Sequence, residues 1–387
     1  MYNLYNNVFN NFFTFNIQKN ATKNNKIVYF CGINYINNKI RLFGAEKCGI
    51  KIAKLLINDY DIIVFQGCDS QYRIKNLNAN VVNGIDVKFD RRYIKNMINK
   101  INSISPFCIV CNIANGIQYL FWSMIAKSLD IKFIALLHNN EIYMKLSLIE
   151  LYKILNVNKN IILDNIDELY NTIMINSSKI GYQLNRYVDN KYVEKSFIFS
   201  NIIEQNYIND IENNVIIYVG RINKNIKRTN LLLEAIKNTN YMLYVIGDVC
   251  DYDGIINIHE YADSDNIIFI DYTDNIEKYY DIAKILVIPS IHESLPNVIL
   301  ESFSYGIPVV GFEECDAINY LIEDYVNGFK IKNSTSKSLL NKINEIFDID
   351  NETFMKIKNN AYSSCFNYGK DKTLNVLKII LEEVKRG

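Results

Sequence analysis

From residue 26 onward, short runs of β-branched and aromatic residues alternate with stretches whose apolar positions recur at helical spacing. Runs at 26–33, 62–65, 80–82, 107–111 and 132–137 predict strands. Helices are predicted at 44–57, where Ile50, Ala53, Lys54 and Leu56 keep helical spacing, and at 91–104 and 116–129. Further strands are expected near 160–163, 172–175 and 196–199, before the polar stretch 201–214 interrupts the pattern and reads as a linker. The alternation then restarts with strands at 215–219, 242–246 and 267–270, and helices at 229–237 and 276–283. Helices near 336–347, 351–363 and 370–385 follow. Strand–helix alternation with short connections implies parallel sheets covered by helices on both faces. The expected fold class is α/β, with two successive doubly wound, Rossmann-like domains and a ligand cleft between them.

Length and composition agree with two domains. A chain of 387 residues exceeds one typical core, and 49% hydrophobic against 22% charged residues argues against global disorder. A formal net charge of +0 leaves no basic field, so nucleic acid is not an expected partner. The eight cysteines are scattered, most inside apolar runs, and read as reduced core thiols. Cys108 and Cys111 form a CxxC inside the strand-like run FCIVC, which favours packing over redox or metal chemistry, and three histidines imply no zinc site. Residues 1–25, rich in Asn and Phe, lack the basic start and continuous apolar core of a signal peptide and read as an N-terminal extension or docking arm. The apolar stretch 117–137 is broken by Lys127, Asp130 and Lys132, so no transmembrane helix is expected. A cytoplasmic chain is the reading. The basic helix carrying Arg91, Arg92, Lys95 and Lys100 reads as a solvated face, with peripheral contact to anionic lipid at the inner membrane face as the alternative.

The densest candidate chemistry lies at 286–312, LVIPSIHESLPNVILESFSYGIPVVGF. It reads as strand, loop, short helix and strand. Pro296 suits the first helical turn, Gly306 the stop, and Pro308 stands just beyond. A helix N-terminus at the carboxyl end of a parallel strand collects anions through its unpaired N–H groups and its dipole. Glu293 precedes that N-terminus and Glu301 lies about one and a half turns inside, so two acceptors flank a phosphate-binding spot. Upstream, Gly220-Arg221 ends a strand and Lys227 follows. A guanidinium fork and an ammonium point charge would suit a diphosphate, the alternative being a solvated surface loop.

The order VGRINKNIKRTNLLLEAI, then NIIFIDYTDNIEKYYDIAKILVIPSIHESLPNVILESFSYGIPVV, then VNGF resembles retaining GT-B glycosyltransferases of family 4, the group 1 type. Glu293, seven residues, then Glu301 matches that family's E-x7-E signature. The likeness covers about residues 215–330 well and the N-terminal half more loosely. It implies a GT-B fold, two Rossmann-like domains facing across a cleft. An acceptor-side domain would span 26–205, with the C-terminal helix at about 370–387 packing back on it, and a nucleotide-sugar donor domain 206–369. The implied reaction transfers a hexosyl unit from a UDP- or GDP-linked sugar to a saccharide, lipid-linked or other acceptor with retention, without a cofactor or metal.

By that resemblance, Arg221 and Lys227 bind the donor diphosphate, Glu293 contacts the sugar and Glu301 holds the ribose hydroxyls. Backbone groups near Pro296, Asn297 and Val298 meet sugar and phosphate, and the turn Asp271-Tyr272-Thr273 lies near the nucleobase. Gly44 matches the family's first Gly-rich loop, although Phe43 replaces one glycine and a plain helix N-terminus is the alternative. His138, ending FIALLH, matches a strand-end histidine that contacts sugar or acceptor, a structural role being its alternative, and Ser177 matches a later strand-end serine more weakly. His259 and His292 match no role. Residues 313–317, EECDA, stand where the family often has a Gly-Gly loop, and Asp251-Tyr252-Asp253 reads as a solvated loop and not as a metal-binding pair. Two rival readings are a GT-B sugar-nucleotide epimerase and a non-catalytic glycosyltransferase-like partner subunit.

Overall fold

The structure is a computed structural model that describes residues 4–19, 25–31, 34–36, 39–41, 44–66, 80–82, 85, 87–113, 115–137, 141–171, 173, 181–185, 196–198, 214–249, 254–261, 264–273, 275–293, 295–368 and 370–386. The chain divides into two compact units, one of residues 1–202 with 373–387 and one of residues 203–372.

In the first unit the strands are β1 (Lys26–Cys31), β2 (Asn34–Ile36), β3 (Lys39–Arg41), β4 (Asp61–Gln66), β5 (Asn80–Val82), β6 (Cys108–Ile113), β7 (Lys132–Leu137), β8 (Gly181–Asn185) and β9 (Ser196–Ile198). Seven of them form a parallel sheet in the order β5-β4-β1-β6-β7-β8-β9, while β2 and β3 pair antiparallel as a separate ribbon. Alternate side chains leave opposite faces of a strand. Val28 and Phe30 of β1 therefore join one core with Ile109, Phe133 and Ala135, while Ile27, Tyr29 and Cys31 join another with Cys108, Val110 and Ile134. The thiols of Cys108 and Cys111 are buried and unoxidised, with pKa values raised well above the ordinary thiol value by burial, as packing residues require.

The helix Gly116–Leu129 is apolar on nearly every side and largely buried, with Trp122 against Phe30 at 4.6 Å between ring centroids. Asn115 caps it by accepting from the Gln118 N–H at 2.9 Å. The C-terminal helix Lys370–Arg386 belongs to this unit from Thr373 onward: Leu377, Ile380, Leu381 and Val384 pack into the core that holds Ile27 and Tyr29, and Lys378 pairs with Asp59 at 2.8 Å.

Two sequence expectations are corrected here. Residues 160–163 are helical, within Lys159–Asp164, because Asn158 caps that segment and the three-residue apolar run Ile161–Leu163 carries no period of its own. The N-terminal segment, expected as an extension or docking arm, packs into the core of this unit. A short helix, Leu4–Val8, and a π-turn, Phe9–Phe13, bury Leu4, Tyr5, Val8 and Phe13, and Phe13 meets Phe121 edge-on at 5.8 Å. Arg91, read as part of a solvated basic face, is committed to this segment. Its guanidinium donates to the carbonyls of Asn11 at 2.8 Å and Thr14 at 2.9 Å and lies over the Phe15 ring. Residues 172, 174–180 and 201–213, covering most of one expected strand and most of the expected linker, lie outside the described residues, and Ile173 is helical.

The second unit holds β10 (Val215–Val219), β11 (Met242–Ile246), β12 (Ile267–Ile270), β13 (Ile285–Ile288), β14 (Val309–Phe312) and β15 (Gly328–Ile331). They form one parallel sheet in the order β12-β11-β10-β13-β14-β15. The inner strands β11, β10, β13 and β14 pack on both faces, so their residues read as near-continuous apolar runs. From β10 the chain builds outward to β12, then returns to add β13 on the other side of β10. That reversal makes a topological switch point at the carboxyl ends of β10 and β13, the place where open α/β sheets bind ligands.

Because Phe13 is 1% exposed among aromatic rings, Phe13→Ala is expected to lower stability by about 3–5 kcal/mol in denaturant unfolding. A change within error would return the segment to the status of an appendage.

Candidate functional site

Past the end of β10, Gly220 and Arg221 lead the chain on beside the continuation of β11, where Ile222 bridges Val249 and its N–H donates to Asp248 O at 2.8 Å. Gly247, at φ 143, stands beside them at the end of β11, and a Cβ there would collide with the Gly220 carbonyl. Only glycine lets the two strand ends draw together. The Gly220 N–H then donates to Ile246 O at 2.9 Å, and the Tyr218 hydroxyl donates to Arg221 O at 2.5 Å. Burial raises the Tyr218 pKa, so this hydroxyl keeps its proton and its donor role.

Beyond β13 come Pro289, the buried Ser290 and Ile291, whose N–H donates to Ile226 O at 3.0 Å. That bond ties the loop after β13 to the loop after β10. Two residues on, Glu293 meets Lys227: the ammonium pairs with Oε1, and Ser290 Oγ donates to the same oxygen at 2.7 Å. The side chains are only 18% and 12% exposed. The structure therefore brings together two of the four residues singled out in the sequence, across 66 positions of chain.

The helix Asn297–Ser304 begins next to them. Pro296 stands at the N-cap in extended conformation, one residue earlier than the first helical turn expected from the sequence, and has no side-chain oxygen to cap the helix. At the other end Gly306 adopts φ 67 and donates to Phe303 O at 2.9 Å, while the Ile307 N–H bonds Ser302 O at 3.0 Å. This glycine stop is the one expected. Ile299, Leu300 and Phe303 anchor the helix in the core. Glu301 is half-buried and accepts a hydrogen bond from the Tyr280 hydroxyl at 3.2 Å. The Tyr280 ring stacks on Tyr305 at 5.1 Å, and burial, followed by the Glu301 charge, holds its pKa well above the ordinary phenol value.

Other expected residues are placed around this centre. Arg221 is half-buried at the edge of β10, and Asn297 and Val298 open the helix. Tyr272 follows β12, with its N–H donating to Asp248 Oδ1 at 3.4 Å. Of the departing stretch 313–317, Glu314 pairs with Arg228, which is left-handed at φ 48, and Cys315 is buried at the start of the helix Asp316–Leu321, its pKa pushed up to about 11 chiefly by burial. Gly44 begins the helix Gly44–Leu56 of the first unit. His138, Phe43, Ser177, Asp251, Tyr252 and Asp253 lie outside the described residues, and His259 is exposed. Among the described residues no three His, Cys, Asp or Glu side chains are grouped to hold a metal ion, and no helix is long and apolar enough to cross a membrane. Sequence reasoning missed Tyr280, Ser290 and Arg228. Only Ser290, three residues before Glu293, left a local signal.

With this geometry in hand, residues 200–364 match the sequence profile of the family described as "Glycosyl transferases group 1". An "Uncharacterized glycosyltransferase" of Haemophilus influenzae is 24% identical over 186 residues, 46% of this chain and 52% of that protein. An "Uncharacterized 41.2 kDa protein in cps region" of Klebsiella pneumoniae is 26% identical over 159 residues, 41% of each. The chain thus spans about half the length of the curated relatives it matches. Among solved structures, Anabaena HepE in complex with UDP-glucose superposes with TM-score 0.71 at 14% identity, over 94% of this chain and 100% of that one. The apo form of WaaB, described as a lipopolysaccharide outer core galactosyltransferase, gives TM-score 0.58 at 16% identity over 88% and 98%. These likenesses show the fold, a GT-B protein with two Rossmann-like α/β domains, as expected from the sequence.

His292 is half-buried beside the ion pair, and burial lowers its pKa below the ordinary 6.5 even though Glu293 and Asp316 act to raise it. The unfolded chain therefore takes up a proton at this residue at higher pH than the folded one, and stability is lost as pH falls through the unfolded value. His292→Gln should shrink the drop in Tm between about pH 7.5 and about pH 5.5. An unchanged drop would assign the loss to other groups.

Proposed function

We propose that the protein is a retaining hexosyltransferase that uses a UDP- or GDP-linked sugar and passes the sugar to a saccharide, lipid-linked or other glycoconjugate acceptor. The observation that carries this reading is the Lys227–Glu293 pair at the switch point of the second sheet, beside a helix N-terminus. The profile match over residues 200–364 supports the transferase class. The neighbour solved with UDP-glucose supports a nucleotide-sugar ligand.

In this reading Arg221 and Lys227, helped by the helix dipole, neutralise the diphosphate as it departs. The bond from the anomeric carbon to the β-phosphate oxygen breaks, its electron pair staying on the diphosphate. The acceptor hydroxyl oxygen bonds the anomeric carbon on the same face, and its proton passes to the departing phosphate oxygen. Glu293 contacts the transferred sugar. Glu301, steadied by Tyr280, accepts from the ribose hydroxyls. The backbone at Pro296, Asn297 and Val298 meets sugar and phosphate, and Tyr272 borders the nucleobase. Gly44 and His138 are assigned to the acceptor and sugar side. Two protein cations and a dipole carry the leaving-group charge in this scheme, and no step is routed through a metal ion. Contact with a membrane surface would be peripheral.

The test is release of nucleoside diphosphate from UDP- and GDP-sugars with saccharide and lipid-linked acceptors, the anomeric configuration of the product being read by NMR. Lys227→Ala and Glu293→Ala should each slow release by about a hundredfold or more. Isomerised donor without release would instead identify an epimerase. Absence of both turnover and donor binding would leave a non-catalytic subunit.

A further inference from the structure

We infer that Asn223 is the positioning residue for Lys227, an inference that rests on the proposed nucleotide-sugar reading. Asn223 is polar yet 1% exposed, in the loop between β10 and the helix Thr229–Ile236. Its Oδ1 accepts two backbone N–H groups, from Ile226 at 3.2 Å and from Lys227 at 2.8 Å. Its own carbonyl accepts from the Thr229 N–H at 3.1 Å, closing the loop onto the first turn of the helix. The Ile226 carbonyl is held from outside by the Ile291 N–H. One side chain thus fixes the backbone on both sides of the peptide that carries the Lys227 stem.

The chemistry explains the residue type. A lysine stem has much rotamer freedom, and an ammonium acts in a defined place only if its Cα is fixed. Two donors facing one oxygen require an acceptor, which excludes apolar replacements and sets the amide orientation. Aspartate would accept the same bonds, but would add a negative charge beside a cation meant for a diphosphate. Asparagine provides the acceptor without the charge. It does so although its Nδ2 is buried and meets no acceptor among the described residues, an arrangement that local stability alone would disfavour.

The experiment compares the full-length wild type, Asn223→Ala, Lys227→Ala and the double variant by calorimetric titration with UDP and GDP, alongside amide hydrogen exchange. Asn223→Ala should weaken binding about tenfold and speed exchange at the Ile226 and Lys227 amides. The double variant should bind no more weakly than Lys227→Ala alone, since a residue acting through Lys227 adds nothing once the ammonium is gone. Asn223→Asp should restore amide protection. Independent penalties that multiply in the double variant would overturn the inference. So would unchanged affinity in Asn223→Ala, or amides that stay protected in it. If Asn223→Ala fails to fold, Asn223→Ser takes its place in the same cycle. A wild type that binds neither nucleotide removes the functional reading itself, whereas binding that Lys227→Ala weakens and Asn223→Ala does not removes only the role of Asn223.

Discussion

Lys227 and Glu293 carry charges that the fold has largely taken out of water, and much of the surrounding architecture follows from keeping them matched. Removing one partner of a desolvated pair leaves an uncompensated charge, at a cost of about 3–5 kcal/mol when burial is deep. The two residues come from loops that leave neighbouring parallel strands, so they meet only because the strand order places β13 beside β10. Ser290 adds a donor to the carboxylate oxygen that already faces the ammonium. The Ile291–Ile226 backbone bond holds the two loops at a fixed separation. In the proposed reaction a diphosphate would take over the ammonium while sugar hydroxyls engage the carboxylate. The exchange would leave neither charge unmatched, which is what a site that must alternate between empty and loaded states needs.

The sheet constrains how such a pair can be built. Strands of this kind use both faces for packing, as Ile216 and Tyr218 on one side and Ile217 on the other illustrate. Polar chemistry is therefore confined to the loops beyond the carboxyl ends. There the backbone must turn sharply without losing its hydrogen bonds. Gly247 permits the close approach, and the Tyr218 hydroxyl, kept protonated by burial, satisfies the Arg221 carbonyl. The apolar interior thus reaches up to the site and supports it from below.

What could be read from sequence follows the same division. The strands 215–219 and 242–246 and the helix 116–129 were readable to the residue, because continuous apolar runs and an Asn–Asp bracket are local features. The run at 160–163 misled, since three consecutive apolar residues fit strand and helix alike. β8, GYQLN, carries too few apolar residues to announce itself. The Asn- and Phe-rich segment near the N-terminus could be read only as an extension or docking arm because its partners, Phe89 and Phe121, stand far along the chain. Arg221, Lys227, Glu293 and Glu301 were legible as types at given spacings. The partners of Glu301 and Arg228 were not: Tyr280 is 21 positions from the first and Glu314 is 86 from the second, separations only the fold closes.

Glu314 also bears on which groups are left to read the sugar. It stands where the resembled family often carries a Gly-Gly loop, and it is engaged by Arg228, whose left-handed backbone directly follows Lys227. The pair is solvent-exposed, and such pairs are worth about 0–1 kcal/mol, so this carboxylate can exchange its guanidinium for another partner at little cost. Replacing glycines with side-chain-bearing residues also restricts how closely that backbone can approach a ligand. In the proposed reaction Glu293 is the buried carboxylate assigned to the sugar, and Glu314 is a second, more exposed one held by the residue after Lys227. The placement of the buried one rests on the geometry with which Ser290 and Lys227 present it, and so on the loop that Asn223 pins.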